Sequence, residues 1–180
     1  MKPEIAASRS VRLMFQDEAR FGRMVRPKRC WAPHPFRPVL RNGYEREFVY
    51  VYGAVSPIEG EMDWCLCREM NTLRMGEFLT QVSQAHPNEF IVMVVDGASS
   101  HRAKDLVVPE NIRLLALPPY APELNPAEYI WNRADFALSN SVSNSQSHLR
   151  SRLHRITRRL RTSPKRLWAC IHASRLPWKR

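Results

Sequence analysis

Three acidic residues stand where the chain could bring carboxylates together. Asp17 follows the strand-like run at 12–16, Asp96 follows the apolar run at 91–95, and Glu128 lies in the first turn of a predicted helix. The carboxyl ends of neighbouring parallel strands meet at one edge of an α/β sheet, so Asp17 and Asp96 converge if their strands are neighbours. Converging carboxylates without a nearby His/Cys cluster favour Mg²⁺ or Mn²⁺. Because two such ions can clamp the attacking and leaving oxygens of a phosphoryl displacement, the spacing indicates that chemistry.

The sequence leaves other roles open for the two aspartates. An aspartate directly before a glycine, as at Asp96, often forms a turn. Glu18 adjoins Asp17 and could be the functional acid instead, and Asp17 could pair with Arg20. His101, five residues after Asp96, could contact a phosphate, assist proton transfer or cap the following segment.

Glu128 has two competing interpretations on its own helix. The run 125–128 fits a capping box, in which Glu128 would bond back to the backbone amide of Asn125. Asp135 lies seven residues further on, on nearly the same helical face, and is a rival ligand. Asn125 could cap the helix, orient Glu128, or do both. Trp131 lies on the apolar stripe of the helix, which favours core packing over stacking on bases.

The hydrophobic pattern predicts the elements that position these acids. The predicted strands are 11–17, 47–56, 62–68, 90–95 and 111–117, with a further short strand within 24–31. The run 90–95 is apolar on both faces, as a central parallel strand must be, and 111–117 is typical of a buried strand. The predicted helices are 73–82, the run after Asn125 as far as Leu138, 149–160 and 164–174, with a short helix or loop at 99–106. This order predicts an α/β fold with a mixed sheet flanked by helices.

A polar linker at 139–147 is the clearest change of composition in the chain. It separates a core at 1–138 from a basic helical tail at 148–180. The tail carries a narrow apolar seam formed by Leu149, Leu153, Ile156 and Leu160. This seam must bury against the core or a second subunit, and we expect the tail to pack on the core.

The excess positive charge is concentrated in this tail. The chain has 28 Lys and Arg against 17 Asp and Glu, and a net charge of +11. Residues 150–180 contain 11 of the basic residues and no acid, so the first 149 residues are neutral. Such a block indicates a polyanionic partner, usually nucleic acid, although it could also be a solvated surface helix. The DNA contacts predicted from the tail are Arg150, Arg152, Arg155, Arg158, Arg159 and Arg161, and those predicted elsewhere are Arg20, Arg23, Arg26, Lys28, Arg29 and His101.

The composition argues against a membrane or secreted protein and against a protein that is stabilised by disulfides or zinc. No apolar run approaches the length of a membrane span, and the first ten residues lack a signal-peptide core. We therefore expect a soluble cytoplasmic protein with no membrane partner. The four cysteines have no paired CxxC spacing, so buried free thiols are expected rather than disulfides or zinc ligands.

Five stretches of the chain resemble one family. They are FQDEARFGR, VVDGASSH and LPPYAPELNPAEYIW around the three acids, together with WAP at 31–33 and GAVSP at 53–57. These stretches resemble the catalytic core of DDE-type transposases, in the bacterial insertion-sequence branch of the mariner superfamily. The resemblance runs from about Val11 to Trp131. Its third motif is long and unusual in composition, which makes it the most specific.

The resemblance implies a function for the three acids. It assigns Asp17, Asp96 and Glu128 to metal binding and catalysis, with two Mg²⁺ or Mn²⁺ ions, on an RNase H-like fold. The interval of 31 residues between the second and third acids is close to that of such enzymes. The implied activity is cleavage of double-stranded DNA at element ends and strand transfer into a TA target. We expect a homodimer on DNA, in a bacterial cytoplasm and at the nucleoid when acting.

Some features depart from the family pattern. Ala121 stands where a serine is common, which the surrounding prolines make tolerable. A complete transposase of this kind resembles an N-terminal helix-turn-helix region joined to the core. We therefore expect that region to be encoded in a separate frame, supplied in trans, or lost. The alternative functions are a non-catalytic DNA-binding remnant or regulator of an intact transposase, and a plain nuclease.

Overall fold

The structure is a computed structural model that describes residues 9–40, 45–97, 105–119 and 121–172. Within them one sheet contains five strands, which are β1 (Ser10–Gly22), β2 (Phe48–Ser56), β3 (Glu61–Cys67), β4 (Glu89–Val95) and β5 (Ile112–Ala116). The strand order is β3-β2-β1-β4-β5. β2 is antiparallel to β1 and β3, whereas β4 is parallel to both β1 and β5. The predicted mixed sheet is confirmed.

Helices cover both faces of this sheet. They are α1 (Thr72–Ala85), α2 (Pro126–Leu138), α3 (Gln146–Arg161) and α4 (Pro164–Ile171), with a 3₁₀ turn at Pro122–Leu124. Met14 and Met93 pack with the apolar face of α1, whereas the adjacent Phe15 and Val94 pack with α2, α3 and α4. Successive side chains of a strand point to opposite faces, so β1 and β4 are buried on both sides, as predicted for 90–95.

The predicted hairpin and thiols are also found. β2 and β3 are joined by a turn in which Gly60 adopts a φ of 68°, a conformation that favours glycine. The four cysteines are free thiols, but the predicted burial is not observed, since Cys30 is exposed and Cys65, Cys67 and Cys170 are partly exposed. The sulfurs of Cys65 and Cys67 lie 3.5 Å apart on the same side of β3. Among the described residues, no helix combines the length and the apolarity that a membrane crossing requires.

Three predicted elements need correction. β1 continues past Asp17 to Gly22 because residues 15–22 pair with β2, so Asp17 lies within a strand rather than after one. The short strand predicted within 24–31 is wrong, because that segment has no regular structure. β5 is an edge strand of the described sheet, so Leu115 is 55% exposed instead of buried. The helix or loop predicted at 99–106 falls largely outside the described residues.

The basic tail packs on the face of the sheet that α2 also covers. Leu149, Leu153 and Leu160 are buried in the same core as α2 and the sheet residues Val49 and Val51. Of the two partners considered for the apolar seam, the core is therefore the one observed. The linker before α3 is shorter than predicted, since the helix begins at Gln146 with Ser145 as its N-cap.

An ionic network joins the strand ends opposite Asp17. Arg12 is 7% exposed, and its guanidinium donates to Glu89 at 2.6 Å and to Glu61 at 2.8 Å. His86 lies between Asp63, at 2.7 Å, and Glu89, at 3.2 Å. The network therefore ties β1, β3 and β4 to the end of α1.

Replacing the central arginine should destabilise the fold. Arg12→Met leaves two carboxylates facing each other without their cation, which we expect to cost about 2–4 kcal/mol in the free energy of unfolding. The hydrogen bond from Arg12 lowers the pKa of Glu89, so this stability is present above the ordinary pKa of glutamate and is lost as pH falls through the lowered value. Urea unfolding at pH 7 and pH 4 should show a smaller acid-induced loss in the variant.

A matched control lies on the surface of α1. Arg74→Met removes an exposed pair with Glu77 and should change the urea midpoint much less. Equal changes in the two variants would contradict a structural role for the Arg12 network.

Candidate metal centre

The pairing of β1 with β4 sets Asp17 beside Asp96. The parallel register ends at the pair Phe15 and Val94, and each aspartate lies two residues beyond its member of that pair. One carboxylate oxygen each from Asp17, Glu18 and Asp96 lie within 4.8 Å of one another. The two aspartates therefore converge, as the sequence predicted, but they do so where the parallel pairing ends and not at the end of β1.

Glu128 faces the same cleft from the first turn of α2. With Asp17 and Asp96 it lines a cavity of about 380 Å³, whose wall is formed by Leu117, Pro118, Pro119, Ala121, Pro122 and Asn125. Burial raises the pKa of Glu128, and the negative charge of Asp96 raises it further. The proline-rich loop fixes the distance between β5 and α2, because each proline restricts its own backbone. Three predicted carboxylates thus share one cleft.

Asn125 begins α2 and ties it to the strand that carries Asp17. Its side-chain oxygen accepts a hydrogen bond from the amide of Ala127 at 3.1 Å, which caps the helix. Its side-chain amide donates to the carbonyl of Gln16 at 3.2 Å. The capping box considered for Glu128 is not formed, because the backbone amide of Asn125 donates to the carbonyl of Pro122 at 2.9 Å. The Glu128 carboxylate is therefore not used as a helix cap.

Trp131 holds Asp17 in place, a role that the sequence did not predict. The indole Nε1–H donates to Oδ2 of Asp17 at 3.0 Å, and the amide of Glu18 donates to Oδ1 at 2.9 Å. The ring is 6% exposed and meets Phe21 edge to face, with 6.4 Å between centroids. A buried indole N–H requires an acceptor, so a tryptophan on the stripe next to Glu128 was an available signal.

The carboxylates raise one another's pKa. Burial raises the pKa of Asp17 to about 8, the charge of Glu128 is the next cause, and Glu18 and Asp96 add to it. The hydrogen bond from the Glu18 amide acts in the opposite direction. Crowded carboxyl groups around a buried aspartate share a proton or bind a cation. The donors are all carboxylate oxygens, which fits Mg²⁺ or Mn²⁺, and Asp17, Asp96 and Glu128 would hold such an ion.

The structure decides between several alternatives that the sequence left open. Asp135 is not a rival ligand, because it bonds to Lys28 at 2.8 Å and lies 3.7 Å from Arg26. Arg20 does not pair with Asp17, since its guanidinium lies 4.6 Å above the ring of Phe48. Glu18, in contrast, belongs to the group of close carboxylates. It is not among the residues that line the cavity.

The basic residues predicted to bind DNA differ in how they are engaged. Arg23 is tied into the fold by Glu45, by Glu47 at 2.7 Å and by the carbonyl of Ser143 at 3.0 Å. Arg150 donates to the carbonyl of Leu66 at 3.4 Å. The exposed members of the set are Arg20, Arg26, Arg29, Arg155, Arg158, Arg159 and Arg161. His101 lies outside the described residues, so its predicted role stays a prediction.

A family model described as DDE superfamily endonuclease matches residues 12–150. The chain belongs to this family. The protein y4pE/y4sA of Sinorhizobium fredii (strain NBRC 101917 / NGR234), which is uncharacterized, is 35% identical over 98 residues, or 54% of this chain and 70% of that protein. The matched family range contains all three converging acids.

Solved structures of Mos1 show the same fold as this DDE endonuclease domain. The Mos1 strand transfer complex aligns with a TM-score of 0.62 and 16% identity, covering 93% of this chain and 56% of that one. The Mos1 mariner paired-end complex with Mn aligns with a TM-score of 0.61 and 17% identity, covering 93% and 57%. The mixed sheet and its helices are thus the expected RNase H-like fold. The chain spans little more than half the length of these Mos1 chains.

Proposed function

We propose that this DDE endonuclease domain is the catalytic domain of a transposase of the bacterial insertion-sequence branch. It cleaves a DNA strand at an element end and joins the freed 3′-hydroxyl to target DNA. The observation that carries the proposal is the convergence of Asp17, Asp96 and Glu128 on one cleft, just beyond the point where the parallel pairing of β1 and β4 ends.

The residues of the cleft have distinct tasks in this reaction. Mg²⁺ or Mn²⁺, as two ions, would lower the pKa of the attacking oxygen and neutralise the charge that develops on the phosphate. Trp131 and the Glu18 amide hold the two oxygens of Asp17, so that this carboxylate does not rotate. Asn125 fixes the start of α2 against β1 and thereby the position of Glu128. The prolines at 118, 119 and 122 line the cleft, and each restricts its own backbone.

The partners are part of the proposal. Double-stranded DNA is the substrate, with a TA dinucleotide as the target, and two copies of the chain act on two element ends. The Mos1 structures are a strand transfer complex and a paired-end complex, which supports a paired arrangement. A helix-turn-helix region, encoded separately or in another frame, would read the end sequence. The excess positive charge at 150–180 supports DNA as the partner.

The acids can be tested directly. We expect Asp96→Asn and Glu128→Gln each to lower strand transfer by at least about a thousandfold, because each removes a negative charge that would hold the metal ions. The measurement uses a pre-cleaved end duplex, a labelled target and Mg²⁺ or Mn²⁺. Asp135→Asn is the matched control, since Asp135 lies on the same helix but pairs with Lys28. Strand transfer that survives Asp96→Asn would refute the assigned triad.

Two other functions remain distinguishable by the same protein sample. A DNA-binding remnant would take up no Mg²⁺ or Mn²⁺ in calorimetry with DNA present, whereas the proposed enzyme does. A plain nuclease would cut the end but yield no joined product. The intact group of carboxylates favours the enzyme over the remnant, because buried like charges are costly to keep without a use.

A further inference from the structure

The basic residues of α3 separate onto different flanks of the helix. His148, Arg152, Arg155 and Arg159 recur at steps of four, three and four residues, which places them on one ridge. Leu149, Leu153 and Leu160 face the core. Arg150, Arg158 and Arg161 lie away from that ridge. The six arginines that the sequence groups together therefore do not form one surface.

The ridge is one wall of a groove. The opposite wall is the end of α2 and the connection that follows it, with Ala137, Ser141 and Val142, and the volume is about 410 Å³. Arg152 forms the floor, because it donates to the carbonyl of Ser141 at 3.2 Å and to the hydroxyl of Ser143 at 3.0 Å. The groove thus has a fixed base and two walls.

The groove carries positive charge without a matching acid. Arg155 and Arg159 are exposed, and neither forms an ion pair within the described parts of the chain, whereas Arg12, Arg23 and Lys28 are each paired with carboxylates. Burial lowers the pKa of Arg152, and the nearby charge of Arg155 lowers it further. Like charges that crowd one another gain from a bound anion.

The dimensions suit the backbone of a nucleic acid. From His148 to Arg159 the ridge extends roughly 16 Å at the α-helical rise per residue. One DNA strand places a phosphate about every 3.4 Å along the helix axis, so about five phosphates match the ridge. Glu128 and Ala137 are separated by about 14 Å along α2, which sets the groove apart from the reacting phosphate.

We propose that the groove between α3 and the end of α2 binds the phosphate backbone of a DNA duplex through Arg155 and Arg159. Arg152, held by Ser141 and Ser143, adds positive charge at the floor. The inference rests on the proposed function in taking DNA as the polyanion, but the binding requires neither metal nor cleavage. The contact is independent of base sequence, because phosphates carry the affinity.

The test is duplex binding by fluorescence anisotropy in EDTA, from 50 to 200 mM salt. Arg155→Gln/Arg159→Gln should flatten the slope of log K against log salt by about 1.8 and weaken binding by roughly 30- to 100-fold near 0.1 M salt. Lys165→Gln/Arg166→Gln removes the same charge from exposed positions of α4 and should weaken binding by less than about threefold. An equal loss in both double variants would overturn the proposal, since net charge alone would then explain it.

A second variant tests the groove itself. Ala137→Phe fills the exposed opposite wall without changing any charge and should weaken duplex binding by about tenfold, whereas unchanged binding would overturn the proposal. Inorganic phosphate should compete with the duplex only at millimolar concentration; equal competition by phosphate and duplex would show a small-anion site instead. If the chain cleaves DNA but the arginine variant binds the duplex as tightly as the parent, this inference alone is overturned. If the groove binds the duplex but the chain does not cleave DNA, the proposed function alone is overturned.

Discussion

Asp17→Asn should remove most of the pH dependence that the stability of the metal-free chain shows between pH 5 and pH 8, and we expect the variant not to cleave DNA. In the folded chain the pKa of Asp17 is raised to about 8 by burial and by Glu128. In the unfolded chain it returns to about 4. Between these values the folded state holds a proton that the unfolded state does not, so the free energy of unfolding falls as pH rises. From pH 5 to pH 8 the parent should lose about 3 kcal/mol, and the variant, in which only the raised pKa of Glu128 remains, should lose less.

Urea unfolding in EDTA at pH 5, 6, 7 and 8 measures this difference. Adding Mg²⁺ at pH 8 should raise the urea midpoint of the parent, because the cation replaces the proton and binds only the folded state. The same addition should have little effect on Asp17→Asn. Asp135→Asn removes an acid that already has its cation, Lys28, and should keep the pH dependence of the parent. Parallel pH profiles for the parent and Asp17→Asn would show that the carboxylates do not compete for a proton.

The sheet was predictable where burial alone decides the pattern. Residues 90–95 are apolar at every position. This pattern is typical of a strand that is covered on both faces, so a central parallel strand could be inferred from it. The end of β1 could not be inferred in the same way. Residues 18–22 include Glu18 and Arg20, which resemble a loop, and they are extended because β2 pairs with them. That pairing joins segments distant in sequence, so local pattern does not reveal it.

In the candidate site, too, some features follow from the sequence pattern and others depend on contacts between distant segments. The convergence of Asp17 and Asp96 follows from parallel strands, which a sequence can indicate. Asp135 is excluded as a metal ligand because Lys28 pairs with it. Lys28 lies in an irregular, proline-broken segment, and such a segment has no periodicity from which the position of Lys28 could be predicted. Trp131 was placed correctly in the core, but its acceptor depends on how α2 crosses β1 and β2. Side-chain partners across elements are therefore what the sequence leaves undetermined.

Gly53 determines how closely Trp131, on α2, can approach Asp17. It lies directly opposite Asp17 in the pairing of β1 with β2. A Cβ atom at this position would lie 2.7 Å from Cη2 and 2.9 Å from Cζ2 of Trp131. These atoms belong to a rigid ring packed against Phe21, so the ring must move as a whole. The glycine thus leaves the space that lets the indole reach the carboxylate.

Gly53→Ala should therefore lower both stability and activity. Overpacking of this kind costs about 1–3 kcal/mol in the free energy of unfolding. A displaced indole also releases Oδ2 of Asp17, and a shift of about 1 Å in a catalytic group can lower the rate by about a hundredfold. Urea unfolding and strand transfer measure the two effects on one preparation. An unchanged free energy of unfolding and an unchanged rate of strand transfer would show that the Trp131 ring can move without cost.

A double-mutant cycle separates the two consequences. Trp131→Phe removes Cη2, Cζ2 and the N–H donor together. It therefore relieves the contact with an alanine at position 53, but Asp17 loses the hydrogen bond that Oδ2 accepts from the indole. Gly53→Ala/Trp131→Phe should then be at least about 1 kcal/mol more stable than the sum of the single changes predicts, because the two residues share one space. Its activity should stay as low as that of Trp131→Phe alone. If the double variant recovered activity along with stability, the indole would be filling space rather than holding the carboxylate.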